Sequence, residues 1–356
     1  MNNYKQMYYS YITKIPMSGG LNYFWNFGFM LGLFMFLQTI SGFILTFNFI
    51  STEMSALKSV FYIQNEIFFG WMIYSIHSIG VSFIFILIYM HMFRSIYFKL
   101  YKNYMLWFSG MLMFLLIIII SFLGYSLPWN QMSYWAAKVI TSLFTIIFYI
   151  GNDIILILWG DFTVAGPTMQ RFFSLHFMLP LITWVFIFIH IIILHNKGSN
   201  NKFGLKNTKY MIPFFPYYSM KDLFTSFVLI FLFGLVIFFY PFLFLESDSF
   251  MESNKLVTPK HIKPDWFLLW AYAILRSISS KLGGVLILLI VFILLFNMKY
   301  MSYKYIKFSN DFFFWDFVFI MIVLSFLGGS ILEYPYTFLS KLFILMMFMW
   351  MMLFII

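Results

Sequence analysis

The sequence predicts an all-α membrane protein of eight transmembrane helices, the first four forming a bundle. Three observations predict it. The 356 residues are 63% hydrophobic and 10% charged, where a soluble domain carries about 25% charged residues. That balance excludes a soluble globular enzyme, a disordered chain and a nucleic-acid binder. Apolar stretches of about 20 residues, the length that crosses a bilayer, recur at about 27–50, 70–93, 105–123, 173–194, 223–245, 283–298, 312–332 and 338–356. The net charge of +10 is read against a bilayer, and its distribution gives the spans a direction.

Taken in order, the N-terminus MNNYKQMYYSYITK has no apolar core followed by a small-residue cleavage site, so it does not read as a signal peptide. The stretch at about 139–159 is a ninth apolar candidate, interrupted by Asn152 and Asp153. Charge decides against it. If it does not span, one side holds Lys5, Lys14, Arg94, Lys99, Lys102, the five lysines of 197–221 and the three of 299–307, with only Asp222, Asp311 and Asp316 as acids. If it spans, the lysines after it change sides and the bias vanishes. The positive-inside rule therefore favours eight spans with both termini inside. Residues 129–165 then form surface helices on the outer side. The basic loop 195–222 is the best internal boundary, dividing the chain into 1–205 and 206–356. No fixed-period repeat is present. The chain ends within its eighth apolar segment, which leaves that span's inner end bare or covered by another subunit. Three Arg against nineteen Lys, with 52 Phe, fit an AT-rich coding genome such as an organelle's.

Cysteine is absent, so the chain offers no disulfide, Cys-ligated zinc, iron–sulfur cluster or c-type haem attachment. Metal chemistry falls to six histidines and few carboxylates. His77 and His91 lie in the second span, 14 residues apart; His176 and His190 repeat that spacing in the fourth. Fourteen residues return to within about 40° of the same helix face and rise about 21 Å. The two spans run in the same direction, so His77 is level with His176 and His91 with His190. Ionisable groups in a membrane are expensive and mark function. Gly28 and Gly42 in the first span, and Gly110 and Gly124 in the third, carry the same 14-residue spacing. Glycine lets a backbone approach a macrocycle or a neighbouring helix closely. Four matching helices point to two bis-His haems in a four-helix bundle. Zinc fits less well, since no carboxylate stands beside the pairs to complete four ligands. A bis-His iron has no vacant position and transfers electrons.

The strings WNFGFMLG (25–32), GYSLPWNQMSYWAA (124–137), RFFSLHFMLP (171–180), LHNKGSNN (194–201) and HIKPDWFLLWAYAILRSISSKLGG (261–284) resemble the cytochrome b family in its respiratory form, over nearly the whole chain. The family supplies the haem-bearing core of the quinol–cytochrome c reductase complex of the mitochondrial inner membrane. The resemblance implies two non-covalent b haems. His77 and His176 would ligate the outer iron, His91 and His190 the inner one. Arg94 matches a propionate-binding arginine, and Gln38 and the four glycines complete the cofactor set. The outer counterpart of Arg94 is replaced by Tyr74.

The resemblance also implies two quinone sites. The inner one carries over to His195, Ser199 and Asp222, with Asn26 and Lys221 nearby. A histidine and a carboxylate there suit the proton uptake of quinone reduction. The outer ubiquinol site carries over to Pro264, Asp265, Trp266, Phe267 and Tyr272. The family has Glu and Tyr where Asp265 and Phe267 stand; Asp keeps the acid on a shorter arm and Phe lacks the hydroxyl. Ala136 occupies a position usually glycine, and its methyl group narrows the outer pocket. Quinol oxidation at Asp265 and Tyr272 and quinone reduction at His195 and Asp222 would be joined by the haems and coupled to proton translocation. Implied partners are a Rieske-type iron–sulfur subunit, a cytochrome c1-type subunit, accessory subunits and a second copy of the complex. Two alternatives stay open. A di-haem membrane anchor for a dehydrogenase would not need the loop 241–280 or four further spans. A haem-free transporter using histidine proton relays would show inverted repeats and broken helices, and the sequence shows neither.

Overall fold

A computed structural model describes residues 15–199, 211–300 and 310–353. Among the assigned inner-side cations, Lys5, Lys14, Lys202, Lys206, Lys209, Lys304 and Lys307 lie outside the described residues, as does the end of the last apolar segment. Among the described residues the chain is helical, with one short antiparallel pair, β1 (Pro16–Ser18) and β2 (Met211–Pro213), in which Met17 pairs with Ile212.

Twelve helices follow: α1 (Phe27–Leu45), α2 (Ala56–Glu66), α3 (Gly70–Tyr97), α4 (Tyr104–Ser126), α5 (Gln131–Thr141), α6 (Gly151–Trp159), α7 (Gly166–Lys197), α8 (Tyr217–Phe239), α9 (Leu269–Ser277), α10 (Lys281–Phe296), α11 (Asn310–Gly329) and α12 (Tyr336–Leu353). Six of these, α1 with the turn before it, α3, α4, α7, α8 and α11, are long and apolar enough to cross a membrane; α10 and α12 are apolar but shorter.

The disputed stretch at 139–159 forms no long helix. It holds the end of α5, a 3-10 turn at Ser142–Ile146 and the nine residues of α6, which extend only about 14 Å. Asn130 caps α5 by accepting from the Ser133 amide at 2.8 Å. Gly160, at φ +69°, closes α6 in the left-handed region. Two of the differences from the sequence expectation have a local cause. The fifth span runs from Tyr217 to Phe239 rather than 223–245, because Pro216 opens it and Pro241 disfavours helix at the residue before it. Helix α2 is too polar to read as a span; it buries Ala56, Ser59, Val60 and Ile63 along one stripe.

The chain divides into two compact units. The first comprises residues up to Gly42, Ser75–Phe114 and Thr183–Leu243. In it Phe34, Phe83 and Phe233 join α1, α3 and α8: Phe34 and Phe83 stack at 5.6 Å, and Phe233 meets both edge-on. A ring of four neighbours also closes here. Gly28 of α1 lies against His91 of α3, Tyr89 of α3 meets Phe114 of α4, Gly110 of α4 lies against His190 of α7, and the Trp184 indole of α7 donates to Thr39 of α1 at 3.1 Å.

The second unit comprises Phe43–Tyr74, Leu115–Ile182 and Phe244–Ile356. Its core gathers Leu123, Leu127, Trp129, Tyr134, Met169 and Phe172. Residues 251–257 are tied to α5 through buried Gln131, whose amide donates to the Val257 carbonyl and accepts from the Asn254 amide, each at 2.6 Å. Glu53 accepts from Gly166 at the start of α7 and pairs with Lys255 at 2.6 Å, placing a negative charge at the positive end of that helix.

Candidate functional site

Four imidazoles sit half-buried on helices whose other side chains are mostly apolar. Each lies against one of the four spaced glycines. A Cβ added at Gly124 would stand 2.5 Å from His176 Cε1, and one at Gly42 would stand 2.7 Å from His77 Cε1. At Gly28 the distance to His91 is 3.3 Å, and at Gly110 the distance to His190 is 3.5 Å. The repeated spacing therefore has a local cause: the glycines make room for the histidine rings themselves, tightly at His77 and His176 and loosely at His91 and His190.

The ring nitrogens are held unequally. His77 Nδ1 lies 3.1 Å from Ser41 Oγ, and His190 Nδ1 lies 2.7 Å from Ser109 Oγ. His176 Nδ1 lies 2.9 Å from the Ile120 carbonyl, which only accepts, so that nitrogen carries the proton and Nε2 keeps its lone pair. His91 Nδ1 is buried with no hydrogen-bond partner. His91 and His190 lie within electrostatic reach of each other and of Arg94. The Arg94 guanidinium sits 5.3 Å over the Trp25 ring, and its Nε is also buried and unpartnered. Gln38, buried in α1, donates to the Ile76 carbonyl at 3.0 Å, beside His77. These features fit b haem. Imidazoles with Nδ1 occupied present Nε2 to an iron, and a buried guanidinium nitrogen without an acceptor suits a propionate.

Around Asp222, the structure brings together Asn26, Lys221 and Thr225. Asn26 donates to Thr225 Oγ1 at 3.2 Å, and Asn26 and Asp222 are both buried. The Lys221 ammonium donates to the Leu21 carbonyl at 2.9 Å and lies over the rings of Tyr23 and Tyr218. It thus fastens residues 21–23 to α8. His195 is exposed near the end of α7 and Ser199 half-buried beyond it; no described contact joins either to Asp222.

In the second unit, Asp265 opens the 3-10 turn Trp266–Leu268. Burial, and then the negative charge of Glu246, push its carboxyl up to about 7. Glu246 is itself paired with Lys263 at 2.9 Å. The Tyr125 hydroxyl lies within electrostatic reach of Asp265, Glu246 and Asp248. Phe267 and Ala136 are buried, while Pro264 and Trp266 are half-buried. Tyr272 donates to the Ile262 carbonyl at 2.7 Å, and Arg276 lies 5.0 Å over its ring while also donating to the Ser330 carbonyl at 2.6 Å. Tyr272 therefore holds the segment that carries Asp265.

Sequence reading missed Ser41, Ser109, Tyr125, Thr225 and Glu246. The two serines had a signal: each directly precedes a spaced glycine, in Ser41-Gly42 and Ser109-Gly110. Thr225 stands one helical turn after Asp222 and bonds to its carbonyl; the contacts of Tyr125 and Glu246 with Asp265 are non-local, and nothing in the sequence marks them.

Glycine-backed imidazoles on long apolar helices fit one class, a membrane-embedded protein of haem type. Comparison with known proteins gives the family. The family model for cytochrome b/b6/petB matches residues 12–198, and that for its C-terminal part, b6/petD, matches 252–348. The chain is 40% identical over 334 residues to a cytochrome b of Apis mellifera ligustica, covering 92% of this chain and 87% of that one. It is 40% identical over 331 residues to one of Dictyostelium citrinum, covering 91% and 86%. A solved chain of a hyperthermophilic respiratory complex III superposes with a TM-score of 0.92 at 27% identity, covering 99% of this chain and 95% of that one. The chain belongs to the cytochrome b family.

Proposed function

We propose that this chain is the core electron-transfer subunit of a ubiquinol–cytochrome c reductase, a translocase of the mitochondrial inner membrane. In this reading it crosses the membrane eight times with both termini on the matrix side. Residues 1–205 carry a four-helix bundle that holds two b haems, and residues 206–356 carry the outer quinol-site loop. The observation that carries the reading is the set of four glycine-backed histidines, three with Nδ1 engaged. His77 and His176 would hold the outer haem, and His91 and His190 the inner one, with Arg94 on an inner propionate. Bound there, haem would supply one-electron relays.

The chain's own residues supply proton chemistry and positioning. Asp265, with a carboxyl that titrates near neutrality, takes a proton from quinol in the outer pocket formed with Pro264, Trp266, Phe267 and Ala136. Tyr272 holds that pocket's loop through Ile262. Oxidation of a quinol releases two electrons and two protons. One electron goes to a Rieske-type iron–sulfur partner and on to a cytochrome c1-type subunit; the other crosses the membrane. At the inner site Asp222 and His195 deliver protons to quinone, Asn26 and Ser199 contribute hydrogen bonds, and Lys221 fixes the pocket's edge. Two crossings reduce one quinone. Accessory subunits and a second copy of the complex complete the assembly.

The test is single-turnover reduction of the purified complex by ubiquinol. Asp222→Asn is expected to leave b-haem reduction through the outer site intact and to slow reoxidation by quinone about 10²–10⁴-fold, the usual contribution of acid–base catalysis. Unchanged reoxidation would remove Asp222 from the site. The glycines give a second expectation. Gly124→Ala and Gly42→Ala press a methyl group into a histidine ring and are expected to deplete the outer haem. Gly110→Ala makes only ordinary contact and is expected to retain both haems. Haem content by pyridine haemochrome reads the difference.

A further inference from the structure

We propose that Ser41 and Ser109 are positioning residues that lock the proton of His77 and of His190 on Nδ1, and so set the donor strength of one imidazole in each haem pocket. The inference rests on the haem ligation proposed above. It starts from hydrogen counting. A serine hydroxyl has one hydrogen to give and two lone pairs to accept with. Ser41 gives its hydrogen to the Leu37 carbonyl, 2.8 Å away one turn back along α1, with the Gln38 carbonyl at 3.2 Å. Ser109 gives its own to the Leu106 carbonyl at 3.0 Å on α4. Each hydroxyl is thereby left only as an acceptor toward the imidazole. His77 Nδ1 at 3.1 Å and His190 Nδ1 at 2.7 Å must then carry the proton. In a neutral imidazole the other nitrogen, Nε2, then holds the lone pair.

Burial makes the arrangement effective. Ser41 is 5% exposed and Ser109 7%, so both hydroxyls are largely shielded from solvent. The glycine after each serine faces the ring of the same histidine. One Ser-Gly step therefore orients the ring and fixes its proton together. A bonded Nδ1–H makes the imidazole a more basic ligand, which favours the oxidised iron. The four histidines then differ by construction: hydroxyl acceptors at His77 and His190, a carbonyl at His176, and no partner at His91.

The experiment is a redox titration of the two b-type α-bands in the assembled complex, for Ser41→Ala, Ser109→Ala and the hydroxyl-retaining Ser41→Thr and Ser109→Thr. Each alanine variant is expected to raise the midpoint of one haem only, by about a tenfold change in the reduced-to-oxidised ratio, equal to about 59 mV for one electron. Ser41→Ala should move one band and Ser109→Ala the other, with the threonine variants close to the parent. Loss of a single haem in an alanine variant, rescued by threonine, supports the same role. Both haems present at unshifted midpoints would overturn it, leaving the serines as helix-packing residues while the haem ligation stands. Equal shifts in the alanine and threonine variants would also overturn it. A parent complex without b-type bands would instead overturn the ligation itself.

Discussion

Asp265→Asn is expected to lower quinol oxidation about 10²–10⁴-fold at pH 8, the range that a positioned general base contributes. The carboxyl titrates at about 7 because burial disfavours its charge and Glu246 adds a second negative charge. A base works only when unprotonated. The parent rate should therefore rise as pH climbs through about 7 and level off above it, while the Asn variant shows no such inflection. Glu246→Gln removes one of the two causes and is expected to move the inflection to lower pH. Asp265→Glu restores the family's acid on a longer arm and should keep the activity. Steady-state cytochrome c reduction between pH 5.5 and 9 measures all of these. An Asn variant with the parent's profile would take Asp265 out of the proton path.

His91→Leu is expected to abolish electron crossing while leaving the outer haem in place. Losing only an outer-shell partner of a metal ligand costs about 10–100-fold in affinity or activity; losing the ligand itself should exceed that. His91 lies within electrostatic reach of His190 and Arg94 in the first unit, so leucine would also take one of the two neighbouring imidazoles from Arg94. The visible spectrum should keep one b-type band, and quinone reduction at the inner site should stop. Two bands of parental intensity would show that His91 ligates no iron.

Six of the eight expected spans were legible because apolar runs in a membrane protein carry their own length criterion, and the 14-residue intervals because they repeat on four helices. The glycines were read as room for a macrocycle; the structure shows that each first makes room for a histidine ring. Helix boundaries at prolines were displaced in the hydropathy reading, since a proline stops α8 at Phe239 while the apolar run continues. Helix α2 was missed because its stripe covers only one face. The contacts around Asp265 were illegible for another reason: Tyr125 and Glu246 are far apart in sequence and meet Asp265 only through folding. The family resemblance places Lys221 near the inner quinone site; its ammonium is engaged by the Leu21 carbonyl and two aromatic rings, which no local pattern announces.

The central claim is that four histidines hold two b haems in unequal surroundings. A redox-titrated visible spectrum of the purified membrane complex tests it most directly. The account predicts two b-type α-bands titrating at separate midpoints, because the histidine Nδ1 partners differ and Arg94 lies within electrostatic reach of His91 and His190. A single b haem, or two bands titrating together, would contradict it.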